Sequence, residues 1–289
     1  MILDTMLLAV SLAALLCSLA LGLAAALGRA MGGRLPRPAA GPTGTPWSLG
    51  LAERGAHLAL AAACLALLVA MATRTVATGR APWSNLHEVA VAVAAVLLAS
   101  YLVAERRAAI RQLAPLVALL GAGLVAMALQ LPGEVVPLAP ALQAPLLLTL
   151  HVGAAIVAYA ISGLAFAAAV GVLVQTRAGD RVLLLPSAAA CASVAYRCVL
   201  AAFPILTAAI VLGSVWANLA WRSYWNNDPK ELAAAGTWLI YAAYLHVAGR
   251  SDRAGRAAPW LLVAGFGAVL FTFLGASLLF PGQHSYAGV

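Results

Sequence analysis

Apolar runs about as long as a bilayer is thick alternate along this chain with short polar breaks. A membrane-spanning helix needs about 20 predominantly apolar residues. Eight stretches meet that requirement, at 2–27, 55–73, 86–104, 113–130, 146–174, 199–219, 231–248 and 259–280. Two of the breaks carry helix-start signals. In Ala81-Pro-Trp-Ser-Asn-Leu-His-Glu88, Ser84 or Asn85 precedes an apolar run and Glu88 follows three or four residues on. That spacing predicts a capped start with a carboxylate at the positive end of the helix dipole. In Asp228-Pro229-Lys230-Glu231, Asp at the cap, Pro at the first helical position and Glu at the third predict a capping box. Gly32, Gly33 and Pro36, Pro38, Pro42 and Pro46 mark a flexible connector. Residues 182–198 are moderately apolar and predict a short interfacial helix along the inner surface. The pattern has neither an internal repeat nor a low-complexity tail. It predicts an all-α integral membrane protein of about eight transmembrane helices in one bundle.

Composition agrees and narrows the choice. Of 289 residues, 64% are hydrophobic and 9% charged, against roughly 25% charged in soluble domains, so no sizeable soluble domain is hidden in the chain. The net charge of +8 suggests nucleic acid only until its distribution is read. Loops 28–54, 105–112, 175–198 and 249–258 hold 13 of the 17 basic residues, and the opposite side holds Arg74, Arg80, Arg222 and Lys230. By the positive-inside rule both termini face outward, and so does the polar stretch 220–230; a nucleic-acid function is excluded. The first run begins beside Asp4, with no leading Lys or Arg, and is expected to be a retained anchor, not a cleaved signal. Cys17, Cys64, Cys191 and Cys198 form no C-x-x-C pair, so the chain is expected to be neither a thiol–disulfide exchanger nor a substrate for haem attachment.

The candidate chemistry lies in five histidines and in the stretch from Trp216 to His246. Four of the seven tryptophans fall between positions 216 and 238. His151 stands near the outer end of span five, and His284 follows the Pro281-Gly282 stop of span eight. His246 lies fifteen residues beyond Glu231, roughly 22 Å down a helix, in the inner half of the bilayer. Neutral imidazole ligates iron, and a haem site with two axial histidines needs them facing each other across a flat apolar slot. Tryptophan suits the walls of such a slot, with its large apolar face and one N–H donor. The simpler reading of Trp216, Trp221 and Trp225 is an interfacial aromatic belt, and a single histidine at a helix end is usually just hydrated. His57 and His87 sit near helix ends, and His87 is expected to be a neighbour of the helix cap.

Taken together, Tyr196-Arg197, Phe203-Pro204, Leu206-Thr207, Gly213, Trp216-Ala217-Asn218, Trp221, Tyr224-Trp225, Asp228-Pro229-Lys230-Glu231, Trp238 and Tyr244-Leu245-His246 resemble the CcsA (ResC) proteins of System II cytochrome c biogenesis. Their tryptophan-rich "WWD" region marks membrane proteins that handle haem. Leu150-His151-Val152 and His284-Ser285-Tyr286 resemble the flanking pieces, and Asn85-Leu86 with Glu88 resembles a further outer-loop motif. The likeness runs from about residue 82 onward. It divides the chain into N-terminal transmembrane helices with a cytoplasmic linker at 1–80 and a haem-handling domain at 81–289, with the WWD-type loop at 213–231.

The resemblance implies haem b as cargo. It places the external haem ligands at His151 and His284 and the membrane-embedded one at His246, with the loop from Trp216 through Trp221 and Trp225 to Asp228 against the porphyrin. It implies that haem moves across the bacterial cytoplasmic membrane (a thylakoid membrane being the alternative) and is presented to a reduced C-x-x-C-H motif of apocytochrome c. The chain would then be a haem-lyase-type synthase component. A CcsB/ResB-like membrane partner would supply the second inner ligand, with His57 as the alternative within the chain, and a thioredoxin-like protein is the expected thiol reductant. Where the family usually reads W-G-x-Y-W-x-W-D-P-K-E, this chain has Arg222 for the glycine and Asn227 for the last tryptophan. Asn227 is expected to remove an aromatic wall, and Arg222 or Lys230 to pair with a haem propionate, since carboxylates suit such cations. The rival readings are a b-type electron-transfer subunit and a haem handler of the System I CcmC/CcmF kind. A transporter fits less well, because no repeat symmetry or broken-helix pattern is evident.

Overall fold

A computed structural model of the protein describes residues 2–32, 47–135, 145–249, 257–280 and 282–283. Among these the regular structure is all helical: α1 (Ile2–Gly32), α2 (Trp47–Thr78), α3 (Leu86–Glu105), α4 (Ala114–Gln130), α5 (Pro145–Ala178), α6 (Ala188–Trp221), α7 (Pro229–Ala248) and α8 (Ala258–Leu270). The last continues through a π-helical turn, Phe271–Gly275, into a final turn, Ala276–Leu279. Seven of the eight long helices are long and apolar enough to cross a membrane. α7 is the exception. It has the 20 residues of α3, but Lys230, Glu231, Trp238, Tyr241, Tyr244 and His246 dilute its apolar character. It packs against α6 and α8, which completes the bundle of about eight helices that the sequence predicts.

In a hydrocarbon interior each backbone N–H and C=O needs an internal partner, so helices are the natural solution for these Ala-, Leu- and Val-rich runs. Helices in lipid associate through small residues that allow close approach and through occasional polar bonds. Both devices occur here. The most extensive pairing is α5 with α6, and Ala165, Ala168 and Ala169 of α5 are fully buried. Ser11 and Ser18 of α1 donate to the Ala63 and Ala56 carbonyls of α2 at 3.3 and 2.8 Å.

The two ends of the bundle are chemically distinct. At one end, Arg74 near the close of α2 donates to Asp4 of α1, Glu88 of α3 and the Gly133 carbonyl beyond α4, at 2.9, 2.7 and 2.7 Å. At the other, Arg29 of α1 pairs with Glu53 of α2 and donates to the Leu183 carbonyl between α5 and α6 at 3.3 Å. The arginine-rich loops among the described residues thus share one end, and the tryptophan loop lies at the opposite one.

One predicted element is absent. Residues 182–198 do not form an interfacial helix. Residues 179–187 make a tight connection and 188–198 are the first turns of α6. The cause is Gln175, which is buried. Its amide donates to the carbonyls of Val182, Leu185 and Pro186 at 2.9–3.0 Å and accepts from the Val182 N–H at 3.1 Å. Backbone groups that an interfacial helix would pair internally are held by one side chain. Ser187 then caps α6, accepting from the Ala190 N–H. Both helix-start predictions hold: Asn85 caps α3 by accepting from the Glu88 N–H at 2.8 Å, and Asp228 with Glu231 forms the capping box of α7.

Candidate functional site

His151 lies two turns into α5, with its ring laid against α6. Its Nδ1 is 2.8 Å from the Ala209 carbonyl. A carbonyl only accepts, so Nδ1 carries the proton and Nε2 bears the lone pair, the arrangement that ligating histidines adopt. The ring stacks on Trp216, with centroids 6.1 Å apart and planes 10° from parallel. Trp216 is 2% exposed and meets Trp221 edge to face at 4.8 Å. Gly213 makes this packing possible. A Cβ there would lie 2.5 Å from His151 Cε1 and 2.8 Å from Nδ1, closer than any side chain tolerates.

His151 and Trp216 line a cleft at the tryptophan end of the bundle, with Trp83 and Asn85 before α3, Tyr224 and Trp225 of the loop, and Thr272 and Phe273 of the π-helical turn also in its wall. Its enclosed part is about 200 Å³, below the roughly 300–1,000 Å³ of pockets that engulf a small molecule. The lining is mainly apolar. An apolar cleft of this size is too small to enclose a large flat ligand whole. π-Helical turns commonly occur at functional sites, and this one puts two consecutive side chains, Thr272 and Phe273, in the wall.

The loop between α6 and α7 is held by its own polar groups. Ser214 donates to the Tyr224 carbonyl at 2.8 Å, and Glu231 accepts from the Asn226 and Asp228 N–H groups at 2.7 and 3.2 Å. Asn227 sits at φ 56°, in the left-handed region, and its side-chain oxygen accepts the Trp225 indole N–H at 2.9 Å. Asparagine tolerates that backbone better than a bulky residue. The residue in place of the family's last tryptophan therefore orients another tryptophan. Arg222 ends α6 at φ 62°, the position where a helix most often takes glycine. The glycine that the resemblance leads one to expect there would suit that backbone, and arginine here bears the strain.

The two candidate cations are placed differently. Arg222 is exposed and is not among the lining residues, whereas Lys230 is. Glu231 also lines the cleft, with its carboxylate engaged by the loop's backbone. Among the described residues lining the cleft, Lys230 is the one cation. Asp228 is 5% exposed. One oxygen accepts from the Lys230 N–H at 2.9 Å, and the other accepts from the Gln283 N–H at 2.7 Å. His284 lies outside the described residues.

The remaining histidines are dispersed. His246 is exposed on the surface of α7, towards the arginine-rich end. His57 of α2 lies 2.5 Å from Glu105. Its helix packs on α1, α3 and α4, whereas α7 packs on α6 and α8. His87 is buried in α3, with Nδ1 2.8 Å from the Ala128 carbonyl. Sequence reasoning missed the buried ion network beside it, in which Arg74 joins Asp4 to Glu88, and Arg80 reaches Glu88 at 3.2 Å and Ser84 at 2.5 Å. A signal existed: Arg74 stands on the side of the chain with few basic residues, and charge in a spanning helix needs a partner. Trp238 belongs to the helix packing, donating to Thr207 at 2.8 Å across α6 and α7.

These features define a class: a multi-helix membrane protein with an anchored histidine under a tryptophan loop. The model of the family described as "Cytochrome C assembly protein" matches residues 83–284. A cytochrome c biogenesis protein CcsA of Synechococcus elongatus is 34% identical over 80% of this chain and 86% of its own. A CcsA of Microcystis aeruginosa is 32% identical over 82% and 87%, and one of a Synechocystis species 30% over 83% and 89%. The chain belongs to the CcsA family of cytochrome c biogenesis proteins.

Proposed function

We propose that this chain carries haem b to the tryptophan end of the bundle, holds it between His151 and His284, and presents a porphyrin edge for covalent attachment to an apocytochrome c. The observation that carries the reading is His151. Its Nδ1 is fixed by the Ala209 carbonyl, its ring by Trp216, and its position by Gly213, all in the wall of an apolar cleft. A ligand held in one tautomer and one orientation costs little reorganisation when iron arrives. Lys230 is the cation for a propionate, and Trp225, oriented by Asn227, stands beside the edge that the cleft leaves accessible.

The reaction served is the addition of each cysteine thiol of C-x-x-C-H across a vinyl group. Sulfur bonds to one carbon, the thiol hydrogen ends on the other, and no oxidant is consumed. The residues here orient and hold the substrate; the cysteines must arrive reduced, and since this chain has no C-x-x-C, a thioredoxin-like protein is the expected source of reducing equivalents. At the inner end, exposure of His246 supports a second ligand from a CcsB/ResB-like partner, because His57 faces Glu105 on the far side of the bundle. With arginine-rich loops inside, the tryptophan end faces outward from the cytoplasmic membrane, where cytochromes c mature.

The test is purification of the full-length chain with and without such a partner, and absorption spectra of His151→Ala, His246→Ala and His284→Ala with an assay of cytochrome c maturation. Loss of haem signal or maturation in these variants is expected. Retention of the wild-type spectrum and full maturation in all three refutes the proposal.

A further inference from the structure

We infer that Asp228 is a positioning residue for the second axial ligand: its carboxylate clamps the C-terminal segment that carries His284 onto the start of α7. The inference deepens the haem reading above and rests on it. A helix cap needs only one acceptor oxygen, and Oδ1 fills that role towards the Lys230 N–H. Oδ2 accepts from the backbone of Gln283 at 2.7 Å, one peptide unit before His284. A charged acceptor makes a stronger bond than a neutral one, and burial of Asp228 keeps competing water away. Gly282 supplies the complementary shape. A Cβ there would come within 2.5 Å of Asp228 Oδ2 and 3.2 Å of Pro229 Cδ, so a side chain would push the segment off the carboxylate. Consecutive Cα atoms are only about 3.8 Å apart, so fixing the Gln283 N–H limits where the next residue's imidazole can reach. Asp228 thus links the tryptophan loop, the α7 cap and the backbone that leads into the terminal histidine through one side chain.

Asp228→Asn separates the two roles. Asparagine caps helices as well as aspartate does, but its amide offers a single oxygen, and the NH₂ group it places opposite the second donor cannot accept. Gly282→Ala attacks the same contact from the other side and keeps the capping residues Asp228 and Glu231. Both are titrated with hemin in the full-length protein in detergent, in a His246→Ala background so that only the tryptophan-end site reports, beside His151→Ala and His284→Ala. Helix content, read by circular dichroism, is expected to stay at the parent value. Hemin affinity is expected to fall by roughly 10–100-fold, the usual cost of losing an outer-shell orienting group. The bound hemin is expected to shift from six-coordinate low-spin towards five-coordinate high-spin, with added imidazole restoring the low-spin form. The Asp228→Asn/His284→Ala double variant is expected to bind no more weakly than His284→Ala alone, since residues acting through one another are not additive. Parent-like low-spin binding in both Asp228→Asn and Gly282→Ala, or additive losses in the double variant, overturns the clamp. If His151→Ala also binds hemin as the parent does, the haem reading falls with it; if His151→Ala alone is impaired, only the clamp is lost.

Discussion

His151 and His246 lie towards opposite ends of the bundle, and the protein treats them in opposite ways. His151 has a carbonyl on Nδ1, an indole stacked on its face and a glycine beneath it. His246 is exposed on the outer surface of its helix. The first is the pattern of a ligand prepared within one chain. In the proposed function the second is half of a site, the other half coming from the partner. On the proposed function the difference has a use: a site completed only with a partner would be open for loading, and a rigid site at the delivery end would fix the cargo's orientation for chemistry.

The largest expected effect breaks the comparison directly. In the isolated chain, His151→Ala should abolish low-spin hemin binding at the tryptophan end, while His246→Ala should leave most of it. Co-expression with a CcsB/ResB-like partner should make His246→Ala costly as well, reducing the haem that co-purifies. Optical spectra of the four preparations check this, and equal sensitivity to His246→Ala with and without partner would contradict the half-site reading. Next in size is Gly213→Ala. The added methyl must displace the His151 ring, and a misplacement of about 1 Å at a reacting centre can cost about 100-fold. Maturation should drop towards that of His151→Ala while the protein still purifies as a helical bundle.

Lys230 and Arg222 repeat the contrast on a smaller scale. A hydrogen bond to a charged group contributes about 1.5–3 kcal/mol, so Lys230→Ala should weaken hemin binding by roughly 10–100-fold. Arg222→Ala should leave it unchanged, since that side chain is exposed and outside the cleft lining. Titration with hemin and with a porphyrin dimethyl ester separates the cause: the ester should bind both variants and the parent alike.

Much of this was legible in the sequence, for physical reasons. Hydrocarbon demands long helices, and their apolar runs show without any knowledge of packing. Arginine placement sorted the two ends, and the caps at Asn85 and Asp228 were readable because capping is local chemistry. What escaped depends on distant residues. Gln175 overrides an amphipathic-looking segment through bonds to three carbonyls. Arg74 finds Asp4 seventy positions away. The cleft forms where a π-helical turn, two loops and parts of four helices, α3, α5, α6 and α7, meet, and no local pattern marks that meeting. The bond from the Trp225 indole to Asn227 depends on a left-handed backbone at Asn227 that composition does not reveal.

The smallest expected effect concerns the same loop and runs in the opposite direction, towards stability. Arg222 holds φ 62° at the end of α6 with its backbone N–H bonded to the Asn218 carbonyl. A residue with a Cβ pays on the order of 1 kcal/mol for that conformation, and glycine does not. Arg222→Gly also makes the unfolded chain more flexible, which offsets part of the gain. The net expectation is a modest rise in thermal midpoint for the detergent-solubilised protein, with hemin binding unchanged. Arg222→Ala keeps the strain and should show no rise. Equal midpoints for the glycine and alanine variants would mean that the left-handed turn is not a strained point, and that this loop's stability comes instead from the Glu231 and Asp228 bonds that follow it.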